Sequence, residues 1–252
     1  MIRDKIINLR NKKYFHICMI IIIIAVILFI LGIVILKYNV EGETNMPFEL
    51  TKVTIISSQE GIDKENGEYK WAFDLSQNND IFMYIEKNKN YDKQEVIETI
   101  TIDNIQIQKE TEKGTTNLYK PNVSDSGNMF KNSEENKIET VSYTGDMESN
   151  MQQLKIANQG GIIAFRYAND NVAELLSNDD EINHNQLLKK ANVKEKDLKA
   201  TLSFDITIRI QSGKEYKASL SFDVPVEGVV ENGTSSIEIT DFENVIFKRI
   251  KN

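Results

Sequence analysis

Cysteine is almost missing from this chain of 252 residues; the single one, Cys18, lies inside an apolar run. The rest of the chain therefore has no disulfide, no thiolate zinc ligand and no cysteine nucleophile. A eukaryotic extracellular domain of this size ordinarily carries disulfides. Their absence, with heavy use of Ile, Asn and Lys, points to a bacterium with an AT-rich genome and a single membrane. On that reading the sequons at Asn122 and Asn232 have no glycosylation meaning.

Histidine is nearly as scarce, with only His16 and His184. One histidine beyond the apolar run leaves zinc improbable and gives a Ser–His–Asp triad a single candidate base, with no Gly-x-Ser-x-Gly elbow to go with it. Phosphate-cradling glycine loops, GxGxxG or GxxxxGK[ST], are missing too. Two acidic loops resemble calcium loops and fail on spacing. In Asp63–Glu68 the glycine falls one place early. In Asp179–His184 a histidine stands where the tight turn needs glycine, and Lys190 where a bidentate acid belongs. No catalytic, cofactor-binding or metal residue is assigned, no cofactor is expected, and the chain is read as not an enzyme.

What the chain does have is Ile17–Leu36, twenty residues without a charge, sixteen of them Ile, Leu, Val or Phe. A bilayer core about 30 Å thick takes about 20 apolar residues at 1.5 Å rise, so residues 17–36 are expected to cross membrane lipid as one helix. Arg3, Lys5, Arg10, Lys12 and Lys13 precede the run against only Asp4, which keeps residues 1–16 in the cytoplasm and the remainder outside. The run exceeds the 7–15 residues of a signal-peptide core, so an uncleaved anchor is expected. Cys18 sits at the start of the run rather than after it, which fits membrane-buried filler and not a lipoprotein.

Net charge is −8. The tail and Lys37 hold +5, leaving −13 outside, and a surface that acidic disfavours nucleic acid. After a polar linker at 37–47, residues 48–252 read as a β-rich extracytoplasmic domain. Phe48–Ser57 is a strand with a bulge near Thr51-Lys52, where the apolar phase changes. Tyr69, Trp71, Phe73 and Leu75 alternate with polar residues, and Asn78-Asn79 reads as a turn before a central strand at Ile81–Lys87. Trp71, Tyr69 and Tyr84 are weighed as a sugar-stacking platform, with a core role favoured for Tyr69 and Trp71.

A strand at Val96–Gln108 changes phase between Ile102 and Ile105. Residues 109–158 read as long loops with weak strands near Leu118-Tyr119 and Ile138–Tyr143. Ile162–Ala168 is a buried strand. A short helix at 183–191, capped by Ser177–Asp180, and a turn at 194–199 would be the only helices of the domain. Residues 202–226 form a long amphipathic hairpin around Ser212-Gly213, with the second strand ending near Pro225. Ser236–Arg249 is a last strand. Ile100–Ile107 faintly echoes Ile237–Ile246, a weak hint of duplication.

Nine to eleven strands, one or two short helices and no βαβ alternation predict a mainly β fold, an antiparallel immunoglobulin-like β-sandwich. The expected function is a non-catalytic binding or assembly module on a single-pass membrane protein of the cell membrane, with other envelope proteins as partners. The alternative is a carboxylate-dependent cell-wall-modifying enzyme anchored at the membrane.

Overall fold

A computed structural model describes residues 14, 16–33, 44–65, 67–123 and 127–250. The basic tail cations, the end of the span at 34–36, most of the linker, Asn66 and Ser124 lie outside the described residues. Helix α1 covers His16–Ile33, 18 residues with a mean hydropathy of 3.2 and none of them buried. Its exposed side chains include Phe29, Leu28 and Ile21. Length and composition suit a single-pass anchor or a signal sequence.

Thr44–Lys248 is a compact unit, and it is built mainly from strands. They are β1 Phe48–Asp63, β2 Trp71–Lys87, β3 Ile97–Lys109, β4 Thr115–Tyr119, β5 Val141–Asp146, β6 Lys155–Ala157, β7 Gly161–Ser177, β8 Ala200–Ile210, β9 Glu215–Asp223, β10 Thr234–Ile239 and β11 Lys248–Ile250. One sheet has the order β10-β1-β2-β7-β4 and the other the order β11-β9-β8-β3-β5-β6. Both contribute to one hydrophobic core: Ile55, Ile81, Met83 and Phe165 from the first meet Ile100, Phe204, Ile206 and Tyr216 from the second. Phe165 and Phe204 pack edge to face at 5.4 Å, worth about 1 kcal/mol beyond the area they bury.

Two phase changes in the sequence are bulges. The β1–β2 register shifts between Leu50 and Lys52, which keeps both Leu50 and Val53 buried. The β3–β8 register shifts between Asp103 and Gln106, where Asn104 takes a left-handed φ of 51°. The hairpin of β8 and β9 is antiparallel from Thr201 to Arg209. It turns through Gly213 at φ 83°, a conformation glycine adopts without steric cost.

Several expectations are corrected. Asn78-Asn79 is no turn: β2 runs unbroken from Trp71 to Lys87, and both asparagines are buried, held by side-chain bonds that replace water. Residues 109–158 contain three strands, and β6 pairs with β5 in parallel, so the sheets are not wholly antiparallel. β7 continues past Ala168 to Ser177, which makes Ser177 a strand end. The cap of the following 3-10 turn is Asn183, whose side chain accepts from the Asn185 N–H. Helix α2 is only Leu187–Lys190.

A further helix, α3 Val229–Asn232, stands between Gly228 and Gly233, and 3-10 turns occur at Glu134–Asn136 and Met151–Gln153. The last strand is divided. β10 ends at Ile239, and a turn follows in which the Glu243 N–H donates to Asp241. Ile100–Ile107 spans a bulge in one sheet while Ile237 belongs to an edge strand of the other.

One edge is sealed by a side chain. β4 pairs with β7 only from Arg166 to Asp170, which leaves β7 open at Ala164. Tyr143 of β5 fills the gap: its hydroxyl donates to the Ala164 carbonyl at 2.6 Å and accepts from the Ala164 N–H at 3.1 Å. The ring is fully buried, and that burial raises the phenol's pKa well above the usual tyrosine range.

Candidate binding cleft

The outer face of the five-stranded sheet carries a polar network that begins with its register. Asp80 pairs with Arg166 and Asn78 with Ala168 across β2 and β7, while Tyr119 and Asn117 of β4 pair with Arg166 and Ala168. Directly opposed residues share a sheet face, so Asn78, Asp80, Arg166, Asn117 and Tyr119 all stand on the side away from Ile81. The segment between β4 and β5 covers this side. Its Phe130 packs on Phe82 at 6.3 Å, and the Arg166 guanidinium lies 5.0 Å from the Phe130 centroid.

Arg166 grips Asp80 through two bonds, Nε to Oδ1 at 2.6 Å and Nη2 to Oδ2 at 3.0 Å. The two side chains are only 12% and 19% exposed. The third nitrogen, Nη1, donates to Asn132 Oδ1 at 3.1 Å. Asn132 Nδ2 donates onward to Asn78 Oδ1 at 2.9 Å and Asp170 Oδ1 at 3.2 Å. The other Asp170 oxygen accepts from Asn117 Nδ2 at 2.8 Å and from the Tyr119 hydroxyl at 3.0 Å. Burial, then the Asp170 charge, raises the Tyr119 pKa well above the usual range and keeps the phenol a donor. The chain of bonds ends at the surface, where Asn78 Nδ2 donates to Glu60 Oε2 at 2.5 Å.

Glu60 opens onto a cavity of about 520 Å³ that is also lined by Ser58, Ile62, Asn78, Lys131 and Asn132. That volume is in the range of small-ligand sites. A slightly larger hollow of about 580 Å³ lies over the end of β2, between Lys87, Tyr91 and Gly160, away from the network.

Below the same strands the inner face also turns polar. Ser57 donates to Asn79 Oδ1 at 2.5 Å, Gln77 Nε2 donates to the same oxygen at 3.2 Å, and Asn79 Nδ2 donates to the Tyr167 carbonyl at 3.2 Å. Beside Ser76, β7 carries extra residues: the register passes from Leu75–Ala173 to Gln77–Asn169. Asn171 there adopts a φ of 55°, and its N–H donates to Ser76 Oγ at 3.2 Å.

The residues weighed from sequence fall elsewhere. Trp71 begins β2, stacks on Phe73 at 6.2 Å, meets His184 edge-on at 5.9 Å, and donates from its indole N–H to the Asp179 carbonyl at 3.1 Å. Tyr69 is 37% exposed rather than buried, because β2 begins only at Trp71. Tyr84 lies at the far end of the strand beneath the Lys52 ammonium, 4.2 Å from its ring centre, so the three aromatics form no common platform. The first acidic loop reaches out through its own lysine, and the acids of the second are held by lysines from outside it. Lys64 reaches Glu174 at 2.7 Å and Asp74 at 3.0 Å, contacts that raise its pKa. Asp180 pairs with Lys70 at 2.5 Å and Asp179 with Lys190, and the Lys190 bond holds the Asp179 carboxyl below its usual range.

Among the described residues no three His, Cys, Asp or Glu side chains converge as a metal site. Cys18 is exposed on α1. Sequence reasoning missed Glu60, Asn78, Asp80, Asn132 and Arg166 as a group. The available signal was Arg166 itself, an arginine in the apolar stretch Ile162–Ala168, since a charge in a buried strand needs an acid opposite.

No family model, curated protein or solved structure matches this chain.

Proposed function

We propose that this is a single-pass membrane protein whose extracytoplasmic domain is an immunoglobulin-like β-sandwich acting as a non-catalytic binding or assembly module. The observation that carries the reading is the outer-face network. Each oxygen of Asp80 and of Asp170 accepts a hydrogen bond from a protein donor. Carboxylates committed in this way serve as rigid positioning elements and not as a free general acid or base. Buried polar networks of this kind give a surface a defined shape rather than extra stability.

Strand order supports the immunoglobulin-like reading. β1-β2-β7-β4 and β9-β8-β3 run as the A-B-E-D and G-F-C sheets of that fold do. For the membrane, the support is a helix with bare apolar sides preceded by five cations, a flank that favours a cytoplasmic N-terminus under the positive-inside rule. Membrane lipid is then one partner and other envelope proteins are the rest, reached by lateral diffusion.

Crosslinking intact cells that express a C-terminally tagged chain tests this. Recovery of one specific envelope protein supports the module, whereas a lone monomer that crosslinks to nothing removes it. Among the described residues Glu60 is the cleft carboxylate with an oxygen left open, which favours the second reading, a carboxylate-dependent cell-wall hydrolase. Release of sugars from purified wall by the intact protein would establish that reading instead.

A further inference from the structure

We infer that the cleft at Glu60 binds a neutral, hydroxyl-rich ligand, a carbohydrate chain, an inference that rests on the binding-module reading. Arg166 puts three of its five N–H donors on Asp80 and Asn132, and its charge is paired with the Asp80 carboxylate, so it offers an anion no uncompensated charge, and Glu60 at the opening repels one. Among the described residues a bare metal ion finds one incompletely satisfied carboxylate and, on the same wall, the Lys131 ammonium, which competes with it. An apolar ligand would strand the amides of Asn78 and Asn132 without water.

What remains is a set of short-range donors and acceptors of both kinds. Glu60 Oε1 accepts. Asn78 keeps one of its two amide hydrogens after bonding Glu60, and amides carry two. Lys131 donates, the Ser58 hydroxyl does either, and Ile62, 49% exposed, offers an apolar contact to the C–H face of a ring. Each hydroxyl of a sugar ring both donates and accepts, the ring holds them at fixed spacing, and a rigid lining discriminates among their arrangements. Rigidity is what the network supplies: Glu60 is held by Asn78, Asn78 by Asn132, and Asn132 by Arg166 and Asp170. A site whose polar groups are pre-positioned loses less on binding than one that must order them.

The test uses the intact chain in phospholipid nanodiscs, since glycosidic detergents would themselves occupy a sugar site. Maltotetraose, cellotetraose and N-acetylchitotetraose are titrated by calorimetry, with tetra-alanine as the peptide arm. At least one tetrasaccharide is expected to saturate with a Kd of about 10 µM to 1 mM. Glu60→Gln, at an exposed position, should weaken it tenfold or more, and Lys131→Ala about threefold, with Trp71 fluorescence unchanged in both. Tetra-alanine binding that Glu60→Gln abolishes would overturn the carbohydrate assignment and keep the module. No binding in any arm, with the envelope crosslink intact in Glu60→Gln, would remove the cleft alone. No binding in any arm together with no envelope crosslink from the unaltered chain would remove the module as well. Saccharide binding that Glu60→Gln leaves unchanged places the site elsewhere and overturns the inference.

Discussion

The outer faces of the two sheets meet the same requirement, covering backbone and core with polar side chains, by different means. On the six-stranded sheet, β8 alternates buried and half-buried residues from end to end. Its polar side faces water and is laced by ion pairs. Lys217 lies 2.9 Å from Asp205 and 3.4 Å from Asp103, and Arg209 lies 2.8 Å from Glu98 and 3.2 Å from Glu215. On the five-stranded sheet a loop lies over the polar side, so β2 is buried on both faces in its middle and its polar groups must satisfy one another. A solvated pair is replaceable by water; a covered one is not. The wet face should therefore tolerate substitution, while the covered face should fail at single atoms.

The contrast would break most visibly at Asp80. Asp80→Ala leaves Arg166 under Phe130 without its bidentate acid, and removing one partner of a largely buried pair costs about 3 kcal/mol. Urea unfolding of the intact chain, followed through Trp71, should show that loss, and a cost equal to that of Lys217→Met would erase the distinction drawn here. Tyr143→Phe comes next. It leaves the Ala164 N–H and carbonyl buried without partners, at about 2 kcal/mol, and hydrogen exchange should quicken at the Ala164 amide before it does at Ile208.

Acid then probes the wet face. Ser219, Asn104 and Lys217 hold the Asp205 carboxyl down at about 2, against an ordinary 3.8. A carboxylate depressed on folding adds stability that is full above its unfolded pKa and disappears as pH falls through the folded one. After solvent screening this amounts to about 1 to 2 kcal/mol. Asp205→Asn should flatten the decline in stability between pH 4 and pH 2, and an unchanged slope would mean that these bonds hold no proton linkage. The smallest effect is expected at Arg209. Its side chain is 42% exposed, between the open Glu98 and the half-buried Glu215, so Arg209→Ala should lower stability by less than about 0.5 kcal/mol in urea unfolding.

The same difference explains how much of the fold was legible in the sequence. Alternation from Leu202 to Phe222 was visible because one face of that hairpin is wet, and the phase changes at Leu50–Val53 and Ile102–Ile105 revealed the bulges because hydrophobic residues must stay on the core side. Asn78-Asn79 misled because a pair of asparagines is a turn signal locally; only Ser57 and Glu60 of β1, Asn132 of the covering loop and Tyr167 of β7, from three distant segments, make it a strand. The helix at Val229–Asn232 was announced by Gly228 and Gly233, yet four residues are too few for any periodicity. Strands β4, β5 and β6 are short and polar and owe their conformation to the partners they pair with. Of the cleft, the sequence showed one charged residue in an apolar run and nothing of its companions, because the network joins β1, β2, β4, β7 and a loop that meet only after folding.

Strand β1 has a mechanical consequence. Phe48 begins it and Glu60 stands near its other end, and between them β1 is hydrogen-bonded to β2 along its length and to β10 from Val53 to Ser58. A pull entering the chain before Phe48 and resisted by a ligand at Glu60 would run parallel to the strand. Its ladder bonds would then be loaded together in shear instead of peeling one after another, so β1 would act as a tie rod between tether and cargo.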